Sequence, residues 1–192
     1  MWYNFRRMEM LRLASLLFWL IAGCLMVASA QEVPKTAPPK AVKETVVHLK
    51  DANGSDVGSA TIRSKGQAVE IKLALKAMPP GQHAVHFHQT AKCEPPDFKS
   101  AGPHFNPANK EHGLENPNGH HAGDMPNVTV KPDGKAKATI KNDAVVLGTG
   151  AEANSLFVNG GTALVIHAKP DDMKTNPAGN AGDRIACGVI TK

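Results

Sequence analysis

Three histidines lie close together in the stretch GQHAVHFHQTAKCEP, which spans residues 81–95. They are His83, His86 and His88. The last two alternate on a predicted strand, so their imidazoles project from one face while Phe87 projects from the other. Neutral imidazole is a common metal ligand, and two on one face suit a shared ion. A single H-x-H pair is also frequent on solvated strands, so the other histidines must decide between the two interpretations.

Most of the other histidines follow in one long segment. Residues 90–122 show no hydrophobic periodicity, which predicts a loop of a length that is usually functional or disordered. It contains His104 and His112, and the stretch GHHAGDM places His121 three residues before Asp124. A His-x-x-Asp pair can offer zinc a nitrogen and an oxygen ligand. With His167, eight of the nine histidines lie in or beside a few segments, which favours metal binding over independent surface positions.

The regular elements that must position these residues are strands. Alternating or apolar patterns predict eight short strands and no helix, at residues 44–51, 58–64, 68–76, 82–89, 127–134, 135–142, 162–168 and 184–191. The pair 127–134 and 135–142 predicts a hairpin around Pro132-Asp133-Gly134, and 162–168 predicts a strand buried on both faces. Short strands at this spacing indicate an all-β antiparallel sandwich or barrel.

The N-terminal residues predict export. Three arginines precede an apolar run that ends in Ala28-Ser29-Ala30, the pattern of a signal peptide over 1–30. A permanent membrane anchor is disfavoured because the apolar run is short for a spanning helix. The stretch Ile21–Cys24 resembles a lipobox, so lipidation of Cys24 remains the alternative to cleavage after Ala30. Residues 31–43, with three prolines and no periodicity, predict a disordered tether before a domain over 44–192.

The net charge and the cysteines indicate which binding partners and which cellular compartment to expect. The formal net charge is +5, and it falls to +3 without residues 1–30, which contain three Arg and one Glu. Because the positive charges are dispersed, nucleic acid is not a predicted partner, whereas a small anionic substrate is compatible. Apart from Cys24, the cysteines are Cys93 and Cys187, and an even pair in an oxidising compartment indicates a disulfide. A disulfide that closes a loop of this length would contribute about 4–5 kcal/mol to the free energy of unfolding in the chain-entropy model.

Five motifs resemble, in order, those of the copper/zinc superoxide dismutases of bacterial exported type. They are Gly-x-His-x-x-His-x-His at 81–88, Ala-Gly-Pro-His-Phe-Asn-Pro at 101–107, His-x-Gly-Asp at 121–124, Leu-Val-Ile-His at 164–167, and Gly-Asn-Ala-Gly-Asp-Arg-Ile-Ala-Cys-Gly-Val at 179–189. The resemblance implies an eight-stranded antiparallel Greek-key β-barrel or sandwich of immunoglobulin-like architecture, with a long metal-binding loop. It also implies disproportionation of superoxide to oxygen and hydrogen peroxide by Cu(II)/Cu(I) cycling.

The resemblance further implies a role for each matching residue, with one copper and one zinc ion per subunit. The implied copper ligands are His86, His88, His104 and His167. The implied zinc ligands are His104, His112, His121 and Asp124. His104 would bridge the metals and carry a proton, Asp171 would link His86 to His112, and Arg184 would orient the superoxide anion. Cys93 and Cys187 match the family's disulfide.

The remaining residues of interest have structural interpretations. His83 is interpreted as a hydrogen-bond partner, His120 as a neighbour of the ligand His121, and His48 as a surface residue. The segment 172–179 is short, and Lys174 is its only candidate for steering superoxide. The resemblance places the protein in a bacterial periplasm, where it would protect the envelope. A homodimer is expected, with a monomer as the alternative.

Two other functions compete with the dismutase. An exported protein that buffers or delivers copper and zinc without turnover would use the same ligands. Arg184 beside an open copper position favours the enzyme, because a metal store needs no anion-orienting group. The third candidate is a cupin-type oxygenase, because His86, His88 and Glu94 loosely resemble the metal-binding motif of that class. The spacing from His88 to Glu94 does not fit that motif, and the loop histidines would have no role.

Overall fold

The computed structural model describes residues 40–192 of the chain. The predicted signal peptide, the alternative lipidation of Cys24 and nearly all of the predicted tether lie outside these residues and remain predictions. Within residues 40–192, no helix is long and apolar enough to cross a membrane.

Strands make up nearly all the regular structure of this part of the chain, which confirms the all-β prediction. They are β1 Glu44–Asp51, β2 Asp56–Lys65, β3 Ala68–Leu75, β4 Gly81–His83, β5 Val85–His88, β6 Val128–Val130, β7 Ala136–Asn142, β8 Thr162–His167 and β9 Arg184–Ile190. Two short 3-10 turns cover Lys99–Ala101 and Val158–Gly160.

The strands form two antiparallel sheets. The larger has seven strands in the order β5-β8-β9-β1-β2-β3-β7, and the smaller pairs β4 with β6. The neighbours β9–β1 and β3–β7 join strands that are distant in sequence, as the long connections of Greek-key folds do. The whole set of strands therefore curls around one core, as expected for a β-sandwich or barrel.

Two details of the predicted strands are wrong. The predicted strand 82–89 divides at Ala84, whose N–H bonds to Lys169 O and whose carbonyl accepts from His167 N–H. These bonds to the end of β8 take the chain from the small sheet into the large one, so nine strands form instead of eight. The turn at 132–134 forms, but β6 pairs with β4 and β7 pairs with β3, so the two do not make a hairpin.

The packing explains how the strands hold the site. Val69, Ile71 and Leu73 of β3 and Phe87 of β5 are buried in the main core, as the alternation predicts. All six residues of β8 are buried, which confirms burial on both faces. Because Phe87 points into the core, its neighbours on β5 point to the opposite side, where the loop after β5 covers them.

That loop has its own small core and a covalent anchor. Phe98 and Ala101 pack on the outer side of β8 and β9, against Ala163, Val165 and Cys187. A disulfide joins Cys93 to Cys187, which are 94 positions apart in the sequence, with Cα atoms 5.6 Å apart. The loop is therefore held against the start of β9, where Arg184 lies.

Candidate metal centre

Four buried histidines converge beside β5 and β8. Each offers one imidazole nitrogen within 4.8 Å of those of the others, and the four are His86, His88, His104 and His167. His86 and His88 come from β5, His167 is the last residue of β8, and His104 joins through an isolated bridge to His88. The pairing of β5 with β8 therefore brings together ligands that are nearly eighty residues apart.

A second cluster contains a carboxylate and shares one histidine with the first. Its ligand atoms also lie within 4.8 Å of one another, and its members are His104, His112, His121 and Asp124. Asp124 Oδ1 lies 3.0 Å from His104 Nδ1 and 3.1 Å from His112 Nδ1. Asp124 Oδ2 accepts from the backbone N–H groups of Gly113 and His121, so this carboxylate organises the loop around it.

Two ring nitrogens point to where an ion fits. Among the buried side-chain nitrogens and oxygens of residues 40–192, only His86 Nδ1 and His104 Nε2 lack a hydrogen-bond partner. Buried polar atoms are rarely left unpaired, so a ligand is their expected partner. Four imidazoles suit copper in either oxidation state, and three imidazoles with a carboxylate suit zinc. The donor sets therefore fit one ion of each kind, with His104 between them.

Asp171 connects the two clusters behind the ligands. His86 Nε2 donates to its Oδ2 at 2.7 Å, and His112 Nε2 donates to its Oδ1 at 3.0 Å. Although burial opposes its charge, these bonds hold the pKa of Asp171 well below its usual range. Gly179 closes over the carboxylate with φ +62°, and a Cβ there would lie 1.8 Å from Asp171 Oδ1. Only glycine permits that approach.

Burial keeps most of the cluster histidines neutral, which is the form that binds metal. It lowers the pKa of His104 to about 4 and that of His167 to about 3, and it lowers the pKa of His88 well below the ordinary value. Burial also disfavours charge on His112, but its two neighbouring carboxylates raise its pKa to about 9. Hydrogen bonds from the surrounding histidines outweigh burial and hold the pKa of Asp124 well below its usual range.

These pKa values predict an acid-labile metal-free protein. Unfolded histidine titrates at 6.5, whereas the folded pKa values of His104 and His167 are about 4 and about 3. Unfolding therefore takes up protons below pH 6.5, and stability falls as the pH drops through this window. At about 1.4 kcal/mol per pKa unit, the loss reaches about 3 kcal/mol for His104 and about 5 kcal/mol for His167 once the pH is below their folded pKa values. His112, with its raised pKa, acts in the opposite direction and weakens the fold above pH 6.5.

Thermal unfolding of the metal-free protein between about pH 7 and about pH 4.5 measures this dependence. The exposed His48 provides the control, since His48→Ala should leave the slope unchanged. A midpoint that stays constant over this range would contradict the prediction.

Arg184 lies beside the four-histidine cluster. Its guanidinium donates to Phe98 O and to Gly102 O, both at 2.7 Å. His88 Nδ1 also lies 2.8 Å from Gly102 O, so one carbonyl positions both side chains. Arg184 also lines an open cavity of about 490 Å³, together with Lys99, Gly182 and the carboxylates Asp97 and Asp183.

The comparisons with known proteins agree with this geometry. A family profile described as copper/zinc superoxide dismutase (SODC) matches residues 57–190. The chain belongs to this family. It is 49% identical over 148 residues to superoxide dismutase (Cu-Zn) 1 of Aquifex aeolicus, covering 77% of this chain and 87% of that protein. It is 44% identical over 143 residues to the Cu-Zn superoxide dismutase of Caulobacter vibrioides, covering 74% and 82%.

A solved structure gives the same answer for the fold. The crystal structure of a SOD-like protein from Bacillus subtilis superposes with a TM-score of 0.72 at 40% identity, and covers 75% of this chain and 96% of that one. The β-sandwich or barrel is thus the fold of the superoxide dismutase family.

For this member of the superoxide dismutase family, the surroundings of two lysines bear on the predicted steering of superoxide. Lys174 Nζ lies 3.0 Å from Glu115 Oε2, so its charge is paired. Lys169 instead packs along Gly182, where a Cβ would lie 3.3 Å from Lys169 Cδ. Within residues 40–192, no carboxylate oxygen lies within 4.0 Å of the Lys169 ammonium. Lys169, at the Gly182 side of the Arg184 cavity, is therefore the better candidate.

The other histidines lie outside both clusters. His83 is buried, and its Nδ1 and Nε2 each lie 2.8 Å from a backbone carbonyl, those of His167 and Pro79. This confirms its interpretation as a hydrogen-bond partner. His120 Nδ1 lies 2.7 Å from the backbone oxygen of His121, and His48 is exposed on β1.

Sequence reasoning missed four asparagines that hold the ligand segments, three in loops and one at the end of β7. Their amides bond backbone groups beside the clusters, and they are Asn116, Asn127, Asn142 and Asn176. Asn176 Oδ1, for example, accepts from His112 N–H at 2.7 Å. No sequence signal marks them, because asparagine is common in any irregular segment.

Proposed function

We propose that the chain converts two superoxide anions and two protons into oxygen and hydrogen peroxide. We assign one copper ion to His86, His88, His104 and His167, and one zinc ion to His104, His112, His121 and Asp124. The observation that supports this best is His104, whose Nδ1 faces Asp124 and whose Nε2 is buried without a protein partner. One imidazole thus offers a nitrogen to each cluster.

We assign a separate role in this reaction to each of two side chains, Arg184 and His104. Bound copper supplies one-electron exchange with superoxide. Arg184 binds the anion through charge-assisted hydrogen bonds from the guanidinium, which the Phe98 and Gly102 carbonyls hold in place. His104 Nε2 accepts and returns a proton beside the anion, while Nδ1, which faces Asp124, would be held by zinc on the other side of the ring. Because His104 is nearly fully buried, bulk water has little access to that proton.

A variant of Arg184 distinguishes a dismutase from a protein that only stores metal. We expect Arg184→Ala to lower the rate of superoxide decay by about 10- to 100-fold while copper and zinc remain bound, because a charge-assisted hydrogen bond contributes about 1.5–3 kcal/mol. The measurement is stopped-flow decay of superoxide by purified protein loaded with both metals. Arg63→Ala is the control, since Arg63 is exposed and paired with Glu44. Tight binding of both metals by the parent without turnover would instead establish the buffering or delivery protein.

Lys169 provides a second kinetic test. We expect Lys169→Ala to lower the second-order rate constant about two- to threefold at low salt and to weaken its dependence on ionic strength. The double variant Lys174→Gln with Glu115→Gln is the matched control, because it removes a lysine together with its paired carboxylate and leaves the net charge unchanged. Stopped-flow rates at several salt concentrations measure both. Equal effects of the two variants would contradict the assignment of Lys169.

Export to the periplasm remains part of the proposal. The Cys93–Cys187 disulfide supports an oxidising compartment, where the enzyme would protect the cell envelope from superoxide. The mass of the protein purified from cells distinguishes cleavage after Ala30 from lipidation of Cys24. Sedimentation of the same sample distinguishes the expected homodimer from a monomer.

A further inference from the structure

Asn127 makes an unusual pair of hydrogen bonds to a single residue. Its Nδ2 donates to the backbone oxygen of Asp171 at 2.9 Å, and its Oδ1 accepts from the backbone N–H of Asp171 at 2.8 Å. Within the described part of the chain, no other group bonds these two backbone atoms. The backbone of Asp171 is therefore held by one side chain from 44 residues away.

The backbone of Asp171 determines where its carboxylate lies. Asp171 is buried in the loop between β8 and β9 and belongs to no strand. Its Oδ2 bonds His86 and its Oδ1 bonds His112, one histidine from each cluster. Because an aspartate side chain is short, a shift of the backbone would move the carboxylate away from one or both rings.

The two hydrogen bonds from the Asn127 side chain to the backbone of Asp171 require a carboxamide. A carboxamide carries a donor and an acceptor in one plane, which matches an N–H and a C=O of the same residue. A carboxylate at position 127 would still accept from the Asp171 N–H, but it would place an oxygen against the Asp171 carbonyl. A hydroxyl is too short to meet both groups. Asn127 also immediately precedes β6, so a paired strand fixes its own position.

We propose that Asn127 is a positioning residue for the two metal clusters. By holding the backbone of Asp171, it keeps the carboxylate between His86 and His112 and so slows the release of zinc. This inference rests on the proposed assignment of zinc to the Asp124 cluster.

The first experiment compares zinc release from the copper- and zinc-loaded parent and from Asn127→Asp, using transfer of zinc to a chromophoric chelator. We expect release to be about tenfold faster in the variant, the lower end of the effect that outer partners of metal ligands have. Asn154→Asp is the matched control. Asn154 donates one side-chain bond to Ala144 O at 3.1 Å and belongs to neither cluster, so release should match that of the parent.

A double-mutant cycle shows whether Asn127 acts through Asp171. We expect Asp171→Asn alone to speed zinc release, and we expect Asn127→Asp to add less than about twofold in the Asp171→Asn background. A general loosening of the loop would multiply the two effects instead. The visible spectrum of cobalt bound in place of zinc gives a second readout, in which the two single variants should shift in the same direction.

Several outcomes would overturn the inference. Zinc release that is unchanged in Asn127→Asp, or effects that multiply in the double variant, would remove the positioning role. If Asn127→Asp does not fold, the smaller and uncharged Asn127→Ser gives the same comparison. A parent that binds zinc but does not turn over superoxide would refute the proposed function and leave this comparison valid. A parent that binds no zinc would refute the inference and the zinc assignment together.

Discussion

Replacing His167 with Ala is expected to reduce superoxide dismutation at least about 100-fold, because loss of a ligand should exceed the 10–100-fold loss that follows removal of outer partners. His167 belongs to the four-histidine cluster and not to the Asp124 cluster. Copper binding should therefore weaken strongly while zinc stays bound. Stopped-flow decay of superoxide, together with the metal content of the same sample, measures both effects.

The control for this variant is His48→Ala, since His48 is exposed and belongs to neither cluster. It should retain the parent's rate and both metals. A His167→Ala protein that keeps its copper and its rate would show that the copper ligands have been assigned wrongly.

The second large effect is expected on stability. Asp124→Ala removes the acceptor for the backbone N–H groups of Gly113 and His121 and the carboxylate that lies beside two ring nitrogens. Each buried donor left unpaired costs about 1–3 kcal/mol, so we expect a loss of about 3–5 kcal/mol in the free energy of unfolding. Zinc should be lost as well, because one of its four ligands is gone.

Denaturant unfolding and zinc stoichiometry test this expectation, with Asp133→Ala as the control. Asp133 is an exposed turn residue whose carboxylate, within residues 40–192, accepts only from the nearby Lys135 N–H. Its replacement should change stability by about 0.5 kcal/mol or less, as is usual for surface sites. An Asp124→Ala protein that binds one zinc and unfolds like the parent would contradict both the ligand assignment and its structural role.

Local patterns in the sequence predict most of the strands. Val69, Ile71 and Leu73 alternate with polar residues, and such alternation indicates a half-buried strand before any partner is known. The division of 82–89 at Ala84 has no local signal, because it follows from bonds to His167 and Lys169. The separation of β6 from β7 was missed for the same reason: each strand pairs with a distant one.

The surroundings of the lysines near the Arg184 cavity likewise cannot be predicted from local sequence. Lys174 looks free in the sequence, but its neutralising partner Glu115 lies 59 residues earlier. Lys169 gains its place beside the Arg184 cavity only because Gly182 packs against it. Asn127 likewise carries no signal until its amide is seen to bond both backbone groups of Asp171.

The sequence by itself determined the kinds of ligand, their order along the chain, and the alternation that turns His86 and His88 to one face. These properties depend on residue type and on neighbours in the chain. The family resemblance implied that His104 joins both ligand sets and that Asp171 links His86 to His112, and the tertiary structure brings these side chains together. Only the tertiary structure decided that Arg184 shares the carbonyl of Gly102 with His88. Those contacts join segments up to 85 residues apart, and they form only when the strands pair and the disulfide-anchored loop packs on β8 and β9.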